Sequence, residues 1–241
     1  MTLTKYGKRE WLRTTVIALI FAILFLIGWF YHLFSLKGLI GFLIFDLIVW
    51  LAAVAFFRDP NRKVTEGATV LTAPADGVVR DIEFIPNGNC GNPELAKLFE
   101  GQDMLRIGIF LSVFDVHVNR APCDMQVVFS AHKNGAYHDA RNPDAIKENE
   151  SLLLGGKGKI AGKEFPMAVK QISGAIARRI VCEADPGTEL KKGERYGMIK
   201  FGSRTELYLP AKSNFEPQVN TGDRVTGGVT VIACYKEQQA E

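Results

Sequence analysis

Two long apolar runs open the chain, and past residue 60 the pattern changes to short alternating stretches punctuated by glycine. Residues 15–30 are almost wholly apolar, and the run continues through Tyr31-His32-Leu33-Phe34. A second run, 39–57, holds one charge, Asp46. Each approaches the ~20 residues that an α-helix needs to cross a bilayer. The joint Ser35-Leu36-Lys37-Gly38 is short, which predicts a helical hairpin. A cleavable signal peptide is the competing reading. Against it stand the length of the first run, the lack of a clear small-x-small site and the second run directly behind. Pro60 in Arg58-Asp-Pro-Asn-Arg62 stops the second helix. Residues 1–63 are therefore read as a membrane-anchoring hairpin and 64–241 as a separate domain.

Basic residues orient the hairpin. Lys5, Lys8, Arg9 and Arg13 precede the first run and Arg58, Arg62 and Lys63 follow the second, while the joint has only Lys37. The positive-inside rule then puts both ends, and the domain, on the cytoplasmic face of the cell membrane. Asp46 in mid-span costs roughly 2.5–3.5 kcal/mol on insertion, which favours a bundle-facing position or a shallow hairpin. The net charge of +3 is already reached by the first thirteen residues, so the remainder is neutral overall. That argues against a nucleic-acid surface. Cys90, Cys123, Cys182 and Cys234 are far apart, with no CxxC or Cys/His cluster, so no metal site and no redox pair is predicted.

Beyond residue 63 the alternation is that of short strands. Residues 70–80 read as strand, turn at Asp76-Gly77 and strand; 87–93 as a loop; 104–113 and 126–130 as strands. Residues 131–150 are polar and irregular. Residues 152–154 and 165–172 read as a hairpin turning at Gly155-Gly-Lys-Gly158, and 173–180 as a short helix. Gly155-Gly-Lys-Gly-Lys159 lacks the spacing and the Ser/Thr of a P-loop and is taken as a turn. A weak repeat sets Pro186-Gly-Thr-Glu-Leu-Lys-Lys-Gly193 against Val219-Asn-Thr-Gly-Asp-Arg-Val-Thr226, each leading into an apolar strand. This phrasing resembles the barrel-sandwich modules of lipoyl and biotinyl carriers, but no Met-Lys-Met-like tripeptide is present for modification. The expected fold is mainly β (α+β) with a barrel-sandwich-like repeat.

Two stretches carry chemistry. In Lys200-Phe-Gly-Ser203, Ser203 Oγ can attack the carbonyl of Gly202, which has no Cβ to shield it and tolerates strained backbone. Elimination from the resulting ester leaves dehydroalanine, which hydrolyses to a pyruvoyl group whose ketone takes up an amine and serves as an electron sink. A glycine-kinked pair of strands is the plain alternative. In Asp115-Val-His-Val-Asn-Arg120, an extended backbone would put Asp115, His117 and Asn119 on one face. A histidine beside a carboxylate is an acid–base unit; a hydrogen-bonded structural histidine is its alternative.

Together with Phe57-Arg-Asp-Pro-Asn-Arg62, Ala73-Pro-Ala-Asp-Gly77, residues 110–122 and Ala175-Ile-Ala-Arg-Arg-Ile-Val181, these stretches resemble the phosphatidylserine decarboxylases, in particular their short form. The resemblance implies a proenzyme that cuts itself between Gly202 and Ser203 into a β chain, 1–202, and an α chain, 203–241, that begins with a pyruvoyl group. It implies phosphatidylserine in the bilayer as substrate and phosphatidylethanolamine as product, within phospholipid biosynthesis. His117 and Asp76 match residues the family uses in self-cleavage or proton transfer. Two positions depart from the long-form pattern: Arg120 stands where a second histidine is expected, and Arg204 where Thr or Ser often follows the serine. Arg120 is a poor base and is read as a ligand for the lipid phosphate or the substrate carboxylate. A related serine-headed lipid of the archaetidylserine type is an alternative substrate. A non-enzymatic membrane adaptor is the alternative of a different class. Oligomeric state, a homo-oligomer included, is left open.

Overall fold

The computed structural model describes residues 2–86, 92–136, 138, 148–174, 179–200, 203–211 and 215–236. It divides into two compact units, Met1–Asn61 and Arg62–Glu241.

The first unit is a short 3-10 turn, Lys5–Gly7, followed by helices α1 (Lys8–Phe30) and α2 (Leu36–Phe56). Helix α2 begins inside the predicted joint because Ser35 caps it, its hydroxyl accepting the Gly38 N–H at 3.2 Å. Trp50 Nε1 donates to Thr15 Oγ1 at 3.0 Å and ties the two helices together. Both are long and apolar enough to cross a membrane. They expose Leu19, Phe21, Leu24, Phe45 and Ile48 instead of burying them, an all-round apolar surface that suits lipid better than water.

The second unit is mainly β. In chain order its strands are β1 (Val70–Thr72), β2 (Gly77–Ile85), β3 (Met104–Leu111), β4 (Val118–Arg120), β5 (Asp124–Lys133), β6 (Ser151–Ile160) and β7 (Lys163–Ser173). There follow β8 (Ile180–Cys182), β9 (Glu189–Leu190), β10 (Arg195–Ile199), β11 (Ser203–Pro210), β12 (Phe215–Pro217), β13 (Arg224–Val225) and β14 (Val231–Tyr235). A short helix, α3 (Pro93–Leu98), precedes β3. One sheet runs β13-β2-β3-β11-β7-β6-β5-β9; two smaller sheets run β1-β14-β12 and β4-β10-β8. The large sheet ends on β13 and β9 and is not a closed barrel. Its core face carries Ile107, Ile109, Leu207, Leu209, Val169 and Leu154, packed with Leu71, Val79 and Ile232.

The large sheet reads the same from both edges, because the unit is an internal repeat. Strands β4–β10 correspond in order to β1–β3 followed by β11–β14. The bonds recur in pairs. Thr72 N donates to Pro122 O and Arg120 N to Pro74 O, both at 2.9 Å. Gly193 N donates to Ala121 O and Gly228 N to Ala73 O, at 2.8 and 2.9 Å. Gly187 N donates to Val127 O and Gly222 N to Val79 O, both at 2.8 Å. Gly187, Gly193, Gly222 and Gly228 have φ of 93°, 77°, 100° and 75°, a left-handed conformation that other residues rarely adopt. The repeat thus pairs Gly187 with Gly222, where the sequence alone had set it against Asn220. One half, 118–199, is continuous. The other is split into 70–111 and 203–235, with the continuous half inserted between. Within the continuous half, β6 and β7 are joined by Ala161 and Gly162, with φ of 48° and 75°, a turn matched to strand twist. In the split half the equivalent strands β3 and β11 open out where Leu111 faces Ser203.

The hairpin expected at 152–172 therefore turns later than predicted. Residues 155–158 lie inside β6, not in a turn. Their glycines serve close packing: a Cβ at Gly155 would lie 2.2 Å from the Phe129 ring, and one at Gly156 2.1 Å from Gln126 O. Half of the helix expected at 173–180, residues 175–178, lies outside the described residues; Ser173 ends β7 and Ile180 begins β8.

Candidate active site

Ser203 is the first residue of β11, a strand buried along its whole length between β3 and β7. It faces Leu111 on one side and Ser173 on the other. Ser203 is 0% exposed, and its Oγ has no hydrogen-bond partner among the described residues. Leaving a buried hydroxyl unpaired costs roughly 1–3 kcal/mol, and the Ser173 hydroxyl opposite it on β7 likewise has no partner among the described residues. Gly202 lies outside the described residues.

Below Ser203 on the same strand face sits Thr205, opposite Gln171 of β7. Gln171 Nε2 donates to Asn119 Oδ1 at 2.8 Å, and Asn119 Nδ2 donates to Thr205 Oγ1 at 3.0 Å. This buried chain ties β7, β4 and β11 together beneath the serine. Sequence reasoning missed Gln171 and Thr205, because their pairing depends on the register between distant strands.

His117 is 0% exposed and stands at the end of the connection that leads out of β3. Its Nδ1 lies 3.0 Å from the backbone oxygen of Asp115. A carbonyl only accepts, so Nδ1 carries the proton and Nε2 of the neutral ring holds the lone pair. His117 O accepts from Ile199 N at 3.1 Å. The 117–119 segment is thus bonded to Ile199 on one side of the Gly202-Ser203 junction and to Thr205 on the other. The outward connection between the halves of the repeat is 112–117, and His117 lies at its end; the returning strand is described from Ser203 onward.

The extended face expected for Asp115, His117 and Asn119 is not formed. Asp115 sits in a turn, its N–H donating to Ser112 O at 2.9 Å. Its Oδ2 accepts from Ser112 N and its Oδ1 from Arg224 Nη1, both at 2.8 Å. The ring is therefore held by the Asp115 main chain, not by its carboxylate. His132 and His138, by contrast, form partly exposed pairs with Glu150 and Glu148.

Asp76 is clamped by Arg62, whose Nη1 and Nη2 reach Oδ1 and Oδ2 at 2.6 and 2.7 Å. Its Oδ1 also accepts from Gly227 N at 2.8 Å. The repeat gives Asp76 a counterpart, Asp124, whose Oδ1 accepts from Lys192 N at 2.8 Å. The signal was in the chain, since Ala73-Pro-Ala-Asp76 recurs as Ala121-Pro-Cys-Asp124. Arg62 is what distinguishes the two. Arg120 is 3% exposed, and its Nη1 donates to Gly193 O at 3.1 Å.

Arg204 points to the opposite face of β11 from Ser203. Its Nη2 bonds Asp81 at 2.7 Å and its Nε bonds Glu206 at 2.9 Å. Tyr208 OH donates to the other Glu206 oxygen at 2.6 Å. Burial pulls the Arg204 pKa down, but the two carboxylates outweigh it and hold the guanidinium above its ordinary value. The arginine that follows the serine is thus bound into an ion-pair network away from the serine's side of the strand.

The family model for phosphatidylserine decarboxylase matches residues 51–233, which include every residue of this site. The chain belongs to the phosphatidylserine decarboxylase family. It is 41% identical over 199 residues to a phosphatidylserine decarboxylase proenzyme of Carboxydothermus hydrogenoformans, covering 83% of this chain and 84% of that protein. A proenzyme of the same name from Geotalea daltonii is 39% identical, with 89% of each chain covered. One from Chlorobium limicola is 35% identical over 97% of this chain and 100% of its own length. Phosphatidylserine decarboxylase proenzymes imply a protein-derived pyruvoyl group.

Proposed function

We propose that this chain is made as a proenzyme, cuts itself between Gly202 and Ser203, and decarboxylates phosphatidylserine to phosphatidylethanolamine. The observation that carries the reading is the Ser203 hydroxyl, fully buried and without a hydrogen-bond partner among the described residues, at the start of the strand that returns from the inserted half. Ser203 Oγ attacks the Gly202 carbonyl while its proton passes to His117 Nε2, and the amide becomes an ester. Loss of the Ser203 Cα proton expels the Gly202 carboxylate, and hydrolysis of the dehydroalanine releases ammonia. The pyruvoyl group so formed supplies a carbonyl for the serine amine and an electron sink for the pair left when CO2 departs. His117 then holds the proton that returns to the product carbon. After the cut, the β chain (1–202) and α chain (203–241) stay together, because β11 remains paired to β3 and β7. The paired halves support a barrel-sandwich-like description of the domain.

Asp76 serves by holding Arg62 and the Gly227 turn beside Pro74, on which Arg120 N and, at 3.4 Å, Asn119 Nδ2 lean. Arg120 is assigned to the head group's phosphate or carboxylate on its charge. The intact mass of the purified protein tests the proposal. Two chains are expected, the smaller lighter by one ammonia than the sequence 203–241; a single chain with full activity would overturn it.

Asn119→Ala is expected to slow chain cleavage by about tenfold, because Gln171 Nε2 and Thr205 Oγ1 lose their shared partner. A time course on a denaturing gel measures this, and cleavage at the wild-type rate would show that the polar chain does not position Ser203.

The two apolar helices support anchoring at the cell membrane, where the substrate head group lies, and the basic flanks place both termini in the cytoplasm. A cysteine introduced at 36, 37 or 38 is then expected to react with an impermeant thiol reagent in intact cells. Reaction only after lysis would mean that the hairpin does not cross.

A further inference from the structure

We infer that the 112–115 turn is an interfacial contact that seats the site against an anionic bilayer, with Val113 and Phe114 entering the head-group boundary. The inference rests on the reading of the chain as a decarboxylase of a membrane lipid. Phe114 is 83% exposed, more than any other large apolar side chain described, and Val113 is 40% exposed. This exposure is enforced. The turn is closed by Asp115 N on Ser112 O and by Ser112 N on the Asp115 carboxylate, and Arg224 grips the other carboxylate oxygen. Aromatic rings are favoured where a bilayer meets water.

Position singles out this turn. It leaves β3 directly after Leu111, the residue facing Ser203, so the apolar tip stands at the sheet end where the serine lies. Phe84, also exposed, lies towards the far end of β2, paired with Leu105. The charge beside the tip complements a lipid surface. Arg224 is paired in register with Val78 and its side chain is 70% exposed. Arg80, exposed at the irregularity in β2 between Val79 and Asp81, lies over the Phe110 ring at 5.3 Å. Basic side chains close to a surface rich in acidic lipids are drawn to it, and the phosphatidylserine head group is itself anionic. Asp115 is also the residue whose carbonyl orients His117. The contact therefore docks the site at the depth of the head group and braces the catalytic ring from the same turn.

The test uses the full chain in proteoliposomes, comparing wild type with Phe114→Ser and Phe114→Trp. Chain cleavage is read by intact mass. Decarboxylation is followed with long-chain phosphatidylserine at varied mole fraction in phosphatidylglycerol-containing vesicles. It is followed separately with short-chain phosphatidylserine dissolved as monomers. Phe114→Ser is expected to leave cleavage intact, raise the KM for vesicle substrate by about tenfold, and leave kcat/KM for the monomer within about twofold. Phe114→Trp, which keeps an interfacial ring, is expected to behave as wild type. An equal loss on both substrates would overturn the inference by making Phe114 part of the site itself. No loss on either would overturn it by showing that the turn does not touch the bilayer. A wild-type chain that decarboxylates neither lipid would instead refute the reading beneath it.

Discussion

Ser203→Ala is expected to give one uncut chain with no decarboxylase activity above background. Without Oγ there is no nucleophile for the Gly202 carbonyl and no oxygen through which the chain can be cut by elimination. The alanine cannot yield a pyruvoyl group, so the electron sink is lost along with the cut. The substitution also discriminates chemistry from misfolding. Ser203 Oγ makes no hydrogen bond among the described residues, so its removal breaks none of these and leaves β11 paired as before. Thermal stability is expected to stay level or to rise by about 1 kcal/mol, as an unpaired buried hydroxyl is removed. Intact mass, CO2 release and a melting curve on the same preparation measure all three. An uncut but fully active Ser203→Ala would sink the proposal. A chain that is uncut because it is unfolded would show instead that the hydroxyl has a structural role.

His117→Ala is expected either to block the cut or to leave a cut enzyme slowed by roughly 10²-fold or more, the scale set by losing a general acid–base. The reason lies in the ring's surroundings. Donation from Nδ1 to the Asp115 carbonyl fixes the ring's orientation and tautomer. The ring is fully buried, and its main chain is bonded to Ile199 just ahead of the junction. His117→Gln keeps a side chain able to hydrogen-bond but cannot titrate. If Gln restores the cut while turnover stays low, His117 positions the serine in the first reaction and moves protons in the second. If both steps run at the wild-type rate in His117→Ala, the base is another group, with Asp76 the next to examine. The measurement is a gel for chain cleavage beside CO2 release in detergent micelles.

The two apolar helices and the change to β structure after them were legible along the chain, and the serine and the histidine could be named there as candidates. Each depends on local information: hydrophobic run length, short-period alternation, or residue types adjacent in sequence. The expected turn at 155–158 failed for a definite reason. Glycine marks turns only where it is needed for its backbone freedom, and Gly155 and Gly156 are needed for lack of a side chain against Phe129 and Gln126. The expected role of the Asp115 carboxylate failed because a turn, not a strand, separates β3 from β4, so the side chain folds back on Ser112. The repeat was half visible. Its glycine turns were read in the second half of the chain, but the matching Ala-Pro-x-Asp pieces lie far upstream and meet those turns only in the fold.

What the sequence determined by itself, then, was the inventory: two apolar helices, a mainly β domain, and the glycine–serine pair and histidine proposed to carry the chemistry. These follow from side-chain chemistry and from periods of a few residues. The tertiary structure alone decided how they meet. Inserting one half of the repeat into the other separates β3 from β11 in the chain and bonds the 117–119 segment to Ile199 and Thr205 on either side of Ser203. It also set Gln171 against Asn119, Arg62 against Asp76 and Arg204 against Asp81, contacts between residues far apart in the chain. No local pattern encodes such pairs, because strand register is set by the packing of the whole core and not by the neighbours of any one residue.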